Sequence, residues 1–188
     1  MGPSAALTFD DGPNPAYTPQ IVAELAAARV PATFFTLGYE GAARPDLLQA
    51  EARAGNSVED HTWDHPSLPR LSPTAIASQL ARTADLIQQA VGVRPKCFRP
   101  PYEATNSVVT SVAASLGLVQ VLWNVDPTDW RRPGVDTIVA NVLSHATGHD
   151  VVILLHDGGG DRSQTVAALP RIISGLRARG YHFTRLCA

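Results

Sequence analysis

The sequence predicts an α/β fold in which mostly parallel strands form a closed or nearly closed β/α barrel. Strand-like and helix-like segments alternate along the chain, and parallel strands need helical crossovers of this kind. The apolar runs among the strand-like segments are typical of strands buried on both faces. A doubly wound open sheet is the alternative, because 188 residues is short beside the roughly 250 of an eight-fold barrel.

Seven strands and six helices are predicted. Apolar or β-branched runs place the strands at about 5–9, 32–37, 57–58, 96–99, 119–123, 151–155 and 182–185. The helices are expected at about 19–28, 45–54, 73–91, 107–116, 137–143 and 165–178. Their capping signals are Thr18, Ser72, Asn106 and Asp136 at the starts, with Gly55, Gly92 and Gly117 at the ends.

The composition excludes several classes of protein. Hydrophobic residues make up 45% of the chain and charged residues 17%, which is an ordinary balance for one globular domain with its own core. A net charge of −2 gives no electrostatic basis for binding nucleic acid. No apolar run approaches the roughly 20 residues that span a bilayer, so no membrane span is expected.

The chain has two cysteines, Cys97 and Cys187. Their spacing does not match a zinc knuckle. One long-range disulfide and two free buried thiols are both compatible with the sequence.

Reactive side chains follow the ends of the predicted strands. They are Asp10 and Asp11 after the first strand, His61 and His65 after the third, Arg99 to Tyr102 after the fourth, Asp126 to Trp130 after the fifth, and His156 and Asp157 after the sixth. Because the carboxyl ends of parallel strands meet on one face of a barrel, we expect these side chains to share one site.

A metal site is favoured by the spacing of two histidines. His61 and His65 are four residues apart, so a single helical turn would bring both imidazoles to one side. Asp11 would complete a set of two histidines and one carboxylate, which leaves an open position for water. Two ordinary loop histidines bonded to the backbone are the alternative.

Three further positions are candidates for proton transfer. Asp10, next to Asp11, suits the role of proton acceptor. Arg99 would hold a rim carboxylate ionised as a base, although a weak surface ion pair is the alternative. His156 follows a very apolar run and is either an acid catalyst or a core histidine with satisfied hydrogen bonds. The carboxylates that would orient its ring are Asp126, Asp129 and Asp157.

A glycine run at 158–160 lacks the following Lys-Ser/Thr of a phosphate loop. We interpret it as a flexible connection. His145, His149 and His182 have no carboxylate or histidine in ligand spacing and are expected to be structural or solvent-facing.

These residues resemble those of the polysaccharide deacetylases, carbohydrate esterase family 4. Five motifs occur in the family's order: Thr8-Phe9-Asp10-Asp11-Gly12-Pro13, His61-Thr62-Trp63-Asp64-His65, Arg99-Pro100-Pro101-Tyr102, Asp126-Pro127-Thr128-Asp129-Trp130 and Leu154-Leu155-His156-Asp157. Any one motif is weak evidence, but all five at these separations are highly specific. The resemblance covers residues 7 to about 183.

The resemblance implies a distorted (β/α)7 barrel with mostly parallel strands. It also implies one divalent metal ion held by Asp11, His61 and His65, with zinc expected first and cobalt or nickel as alternatives.

The same resemblance implies roles for four residues in the reaction. Asp10 would be the general base and Arg99 would orient it. His156 would be the general acid, with Asp129 orienting its ring.

Three more positions are implied to contact the substrate. Trp130 and Leu154 would line the pocket for the acetyl methyl group, and the backbone N–H of Tyr102 would help to hold the oxyanion. The chain departs from the family pattern at Glu103, where glycine is common, and at 59–60, where two acidic residues add negative charge beside His61.

The function implied is that of a monomeric hydrolase, formed by residues 1–188 as a single catalytic domain, which removes acetyl groups from an acetylated polysaccharide or oligosaccharide. Its substrates would be N-acetyl groups of GlcNAc polymers (chitin, chitooligosaccharides or peptidoglycan), O-acetyl groups of xylan, or both. We expect a secreted or cell-wall-associated protein, although no signal-peptide pattern precedes the first strand. The alternatives are a non-catalytic carbohydrate-binding module on a deacetylase scaffold and an amidohydrolase that acts on small molecules.

Overall fold

The computed structural model describes residues 2–187. Seven strands lie in this part of the chain, and all of their pairings are parallel. They are β1 (Ser4–Gly12), β2 (Thr33–Thr36), β3 (Ser57–Asp60), β4 (Cys97–Phe98), β5 (Val119–Gln120), β6 (Asp150–His156) and β7 (His182–Phe183). The predicted class, α/β with parallel strands, is confirmed.

The helices pack around the outside of the sheet. They are α1 (Thr18–Ala28), α2 (Gly38–Ala43), α3 (Pro45–Arg53), α4 (Pro73–Val91), α5 (Ser107–Ser115), α6 (Val135–His145) and α7 (Ser163–Ala178). Short 3-10 helices occupy Leu68–Arg70, Pro101–Glu103 and Asp129–Arg131. These last two lie in loops that follow the carboxyl ends of β4 and β5.

The sheet closes into a distorted barrel. Its strand order is β5-β4-β3-β2-β1-β6. Beyond β5 the chain leaves β4 and reaches β6, where Val125 accepts a hydrogen bond from Leu154 N at 2.9 Å and donates one to Val152 O at 3.1 Å. This short parallel bridge joins the two ends of the strand order and completes the ring.

Strands β7 and β2 pair with the same edge of β1, with β7 nearer the N-terminal end of β1. Strand β6 pairs with β1 from Ser4 to Asp10, whereas β2 pairs with β1 only from Thr8 onward. The partners of β7 are Ser4 and Ala5, which already contact β6 on one side. Strand β7 therefore uses their other side, in the space that β2 leaves free.

The alternation of side chains along β1 positions the chemistry. Phe9 points outward into the main apolar core, where its ring stacks on Phe34 at 5.2 Å between centroids. Thr8 and Asp10 have the opposite orientation and meet the buried side chain of Arg99 inside the barrel. Because successive side chains of a strand alternate between its faces, the same strand supplies the core and the site.

Cys97 and Cys187 form a disulfide, with their Cα atoms 6.0 Å apart and a sequence separation of 90. This settles the two alternatives that the sequence leaves open. The bond ties the C-terminal segment to β4, two residues before Arg99.

Several element predictions are wrong in detail. Helix α2 was not predicted, and its Gly38 and Gly41 lower helix propensity. Both glycines are buried against neighbouring side chains, so tertiary packing outweighs that preference. The predicted fifth strand is shorter than expected, since β5 ends at Gln120.

Two predicted helix caps have other partners. Thr18 lies inside α1, and its hydroxyl donates to Asp157 and accepts from Asn14 N. Asp136 lies in the first turn of α6, where its carboxylate pairs with Arg171 at 2.6 Å. The predicted caps Ser72 and Asn106 are confirmed.

Across residues 2–187, none of the helices combines the length and the apolar character needed to cross a bilayer.

Candidate active site and metal centre

The carboxyl ends of the strands surround one open cavity of about 450 Å³. It is lined by Asp10, Asp11, His61, His65, Pro100, Tyr102, Glu103, Trp123, Asp126, Trp130, Leu154, His156, Gly159 and Arg162. Members of all five predicted groups of reactive side chains therefore meet on one face, although Arg99, Asp129 and Asp157 do not line the cavity itself.

Asp11, His61 and His65 meet at the floor of this cavity. The Oδ1 atom of Asp11 lies 3.4 Å from Nε2 of His61 and 3.3 Å from Nε2 of His65. The sequence predicts that a helical turn brings the two histidines together, and this prediction is wrong. Thr62 and His65 have φ values of 71° and 62°, so an irregular turn in the left-handed region brings the second ring back toward the first.

The three side chains fit a divalent metal. Nδ1 of His61 lies 2.8 Å from the carbonyl oxygen of Arg99, which can only accept a hydrogen bond, so Nδ1 carries the proton. Nε2 then presents a lone pair to Asp11 Oδ1, a buried atom with no hydrogen-bond partner among residues 2–187. Two acceptors that face each other need a proton or a cation between them. Two imidazoles and a carboxylate are a donor set typical of zinc sites.

The carboxylates of this centre favour a positive charge on or beside the imidazoles. Burial alone would raise the pKa of Asp11, but the nearby imidazoles of His61, His156 and His65 hold that pKa well below its usual range. Burial and the proximity of His61 lower the pKa of His65. Burial also opposes charge on His61, yet Asp10 and Asp11 outweigh it and raise its pKa. A proton and a cation therefore compete for Nε2 of His61.

Asp10 and Arg99 form a buried ion pair inside the barrel. Nη1 of Arg99 donates to Asp10 Oδ1 and to Thr8 Oγ1, both at 2.7 Å. The guanidinium carbon lies 4.1 Å from the ring centroid of Phe35. The other carboxylate oxygen of Asp10, Oδ2, lies 3.7 Å from Nε2 of His61. One oxygen of Asp10 is thus bound to Arg99 while the other faces the candidate metal centre.

His156 and Asp129 form a second pair at the end of β6. Asp129 Oδ1 lies 2.7 Å from Nδ1 of His156, and Oδ2 accepts from the backbone N–H of His156 at 2.9 Å. Thr165 donates a third hydrogen bond to the buried carboxylate of Asp129 at 2.7 Å. Burial opposes protonation of the imidazole, but the charge and hydrogen bond of Asp129 prevail and raise the pKa of His156 to about 9.

Of the three carboxylates expected near His156, Asp129 contacts its ring. Asp126 instead accepts a hydrogen bond from the backbone N–H of Thr128. Asp157 is turned toward α1, where it binds the hydroxyl of Thr18.

The predicted substrate contacts lie on the cavity walls. Tyr102 is 70% exposed and its ring packs edge-on against His65, with centroids 4.5 Å apart. Trp130 is 45% exposed, whereas Leu154 is buried beneath the cavity. Tyr102, Trp130 and Leu154 thus form cavity walls beside the ionisable side chains.

Comparison with known proteins identifies the family. The sequence model of the family described as polysaccharide deacetylase matches residues 2–121. The chain belongs to the polysaccharide deacetylase family. The similarity also extends beyond the matched segment.

Two curated relatives of this deacetylase chain cover nearly all of it. A chitooligosaccharide deacetylase of Bradyrhizobium sp. (strain ANU 289) is 40% identical over 190 residues, which span 95% of this chain and 86% of the relative. A peptidoglycan-N-acetylglucosamine deacetylase of Bacillus cereus is 39% identical over 180 residues, spanning 95% and 84%.

Solved structures give the same family. A family 4 carbohydrate esterase from Streptomyces lividans, in complex with acetate, superposes with a TM-score of 0.89 at 38% identity. The match covers 95% of this chain and 90% of that chain. The fold and the sequence therefore assign the deacetylase to the same group of hydrolases.

The two departures from the family pattern have different surroundings in this deacetylase. Glu103 is exposed and lines the cavity, as expected. Glu59 instead accepts hydrogen bonds from the backbone N–H groups of Lys96 and Cys97, and burial raises its pKa to about 7. Burial also raises the pKa of Asp60 well above its usual range. The acidic pair thus adds less negative charge beside His61 than its sequence position indicates.

Sequence reasoning missed Trp123 and Arg162, although both line the cavity of the deacetylase. The available signal for Arg162 was the preceding glycine run. Gly158 and Gly159 lie directly against Asp11. The glycine run therefore permits the loop after β6 to approach the end of β1 closely, a role that the sequence interpretation did not include.

Proposed function

We propose that the protein is a zinc-dependent hydrolase that removes N-acetyl groups from GlcNAc polymers such as chitooligosaccharides or peptidoglycan. The observation that carries this proposal is the arrangement around one cavity. Asp11, His61 and His65 lie together as a candidate metal centre, with the Asp10–Arg99 pair as a candidate base and the His156–Asp129 pair as a candidate acid. The activities named for the relatives from Bradyrhizobium sp. and Bacillus cereus support the choice of substrate.

The metal would be held by the carboxylate of Asp11 and the Nε2 atoms of His61 and His65. When bound, a zinc ion lowers the pKa of a water molecule and polarises a carbonyl oxygen. Co²⁺ and Ni²⁺ are the alternatives to zinc, because they accept the same nitrogen and oxygen donors.

Asp10 is proposed to take the proton from the attacking water. Its Oδ1 is held by Arg99, so Oδ2 remains to accept the proton on the side that faces the metal centre. Because Asp10 and Arg99 are both almost fully buried, the ion pair holds the carboxylate in one orientation.

His156 is proposed to deliver a proton to the departing amine. Its Nδ1–H donates to Asp129, so the proton on Nε2 is the one available for transfer. The pKa of about 9 keeps the imidazole protonated at neutral pH, which a general acid requires. Asp129 itself acts on the reaction through the position and charge of that ring.

The remaining wall residues are proposed to bind the acetyl group. Trp130 and Leu154 would contact its methyl group, and the backbone N–H of Tyr102 would donate to the oxygen on which negative charge develops. An O-acetyl ester places the same atoms at this position, so acetylxylan is a second candidate substrate.

A non-catalytic binding module on the same scaffold is the alternative function. Loss of the base, of a metal ligand or of the acid would favour it. Asp10, Asp11, His61, His65 and His156 are all in place around the cavity, which favours catalysis.

We also propose that the protein works outside the cytoplasm, as a secreted or cell-wall-associated monomer. The Cys97–Cys187 disulfide supports an oxidising location. The polymers named for the curated relatives are consistent with the same location.

Acetate release from chitooligosaccharides, peptidoglycan and acetylxylan, measured in parallel with and without a chelator, tests the proposed function. We expect release from at least one GlcNAc polymer, loss of that activity with the chelator, and recovery on addition of Zn²⁺ or Co²⁺. Turnover that persists in metal-depleted enzyme would contradict the metal dependence. Release from acetylxylan alone would move the assignment to the ester substrate.

Replacing Asp129 with asparagine should shift the basic limb of the kcat profile to lower pH. In the native enzyme the pKa of His156 is raised, so its acid form is present below about pH 9 and is lost as pH rises through that value. Without the Asp129 charge, the effect of burial lowers this pKa and the loss begins at lower pH. The pH dependence of kcat checks this, with Thr165→Val as a control that keeps the carboxylate. An unchanged basic limb would exclude the proposed pairing.

A further inference from the structure

Arg162 is a buried cation outside the catalytic set described above. It directly precedes α7, is 5% exposed, and lines the same cavity as Asp11. Burying a guanidinium is costly unless its N–H groups are hydrogen-bonded. The partners of its N–H groups therefore indicate what Arg162 does in the structure.

The guanidinium donates to backbone carbonyls on two separate loops. Nε donates to Gly158 O at 2.6 Å and Nη2 to Gly159 O at 3.0 Å. Nη1 reaches the carbonyl oxygen of Trp130 at 3.4 Å. One side chain thus joins the loop after β6 to the 3-10 turn that carries a wall of the cavity.

The loop held by Arg162 lies directly against the first strand's acidic pair. The N–H groups of Asp157 and Gly158 donate to the carbonyl of Asp10 at 3.1 and 3.3 Å. A Cβ atom added to Gly159 would stand 2.5 Å from Oδ2 of Asp11, and one added to Gly158 would overlap the carbonyl of Asp11. There is no free space between this loop and Asp11, so a shift of the loop is transmitted to the carboxylate.

We propose that Arg162 is a positioning residue that sets the affinity of the Asp11–His61–His65 centre for a divalent metal and fixes Trp130 relative to it. The inference rests on the proposed function, because it takes that centre to bind zinc. By fixing Gly158 and Gly159, Arg162 limits the positions open to the Asp11 carboxylate. By binding the Trp130 carbonyl, Arg162 keeps this part of the cavity wall at a fixed position relative to the metal centre.

The test compares Arg162→Met with the native protein. Methionine keeps much of the buried volume but leaves the three carbonyls without their donor. We expect the Kd for Zn²⁺, measured by competition with a chromophoric chelator, to rise about 10–100-fold, the range typical of groups that support metal ligands. At saturating Zn²⁺ we expect kcat to stay below the native value, because the wall at Trp130 is no longer held. Arg171→Met, which removes an exposed arginine from α7, should leave both quantities unchanged.

Two further variants keep the inference testable if Arg162→Met does not fold. Arg162→Lys retains the charge with a single donor group and should weaken zinc binding less than Arg162→Met. Gly159→Ala leaves Arg162 intact but places a Cβ against Asp11 Oδ2, so it should also raise the Kd for Zn²⁺. Circular dichroism checks that each variant is folded.

Folded Arg162 variants with native zinc affinity and native kcat would overturn the inference. Native protein that binds no Zn²⁺ would instead overturn the proposed metal centre on which it rests. The two failures are therefore distinguished by the zinc titration of the unmodified protein.

Discussion

Asp10→Asn is expected to lower kcat for acetate release by about 10²–10⁴-fold, the usual contribution of a general base, while zinc still binds. Asparagine has nearly the same shape, and its amide oxygen can accept the hydrogen bond that Arg99 now donates at 2.7 Å. It cannot take a proton from water on the side that faces His61. The proposed metal centre draws on Asp11 and the two histidines, so we expect it to stay intact.

Steady-state kinetics and zinc stoichiometry, measured on the same Asp10→Asn preparation, separate these two effects. Asp85→Asn is a matched control, because Asp85 is an exposed carboxylate paired with Arg94 and should keep native turnover. An Asp10→Asn enzyme that retained more than about one tenth of native kcat would not be compatible with Asp10 as the base.

His65→Ala is expected to abolish stoichiometric zinc binding and to reduce activity by roughly 10³-fold, because the metal's share of transition-state stabilisation is several kcal/mol. His65 suits this test because its ring is partly exposed, with 23% of the side chain accessible. Its removal should therefore affect the fold less than loss of the buried His61. Excess Zn²⁺ should restore part of the activity, since Asp11 and His61 remain.

Zinc content by elemental analysis, together with the kinetics, checks this prediction. His149→Ala is the matched control. His149 is exposed and directly precedes the start of β6, whereas the cavity lies at the carboxyl ends of the strands. If His65→Ala bound one equivalent of zinc as tightly as the native protein, His65 would not be a ligand.

The location of the site could be predicted because it depends on topology. Asp10, His61, Arg99 and His156 each lie at or just after the end of a predicted strand, and parallel strands bring their carboxyl ends to one face. Side-chain alternation along β1 then separates Phe9 in the core from Asp10 in the barrel. These features are local in the sequence and need no knowledge of distant contacts.

The features that sequence reasoning missed depend on contacts between distant segments. The turn from His61 to His65 is not helical, because Thr62 and His65 adopt positive φ values. Neither residue type predicts such a conformation. Arg162 binds backbone carbonyls, which every residue carries, so its partners leave no pattern to find. The pairing of Cys97 with Cys187 likewise depends on a distance that becomes fixed only when the C-terminal segment reaches β4.

We propose that Asp11, His61 and His65 hold one divalent cation beside Asp10. Anomalous diffraction at the zinc absorption edge, from crystals of the native protein grown with Zn²⁺, would locate that cation. We expect a single strong peak within bonding distance of Asp11 Oδ1 and of Nε2 on both histidines, with Oδ2 of Asp10 facing it. A zinc peak elsewhere, with no density among these three side chains, would contradict the account.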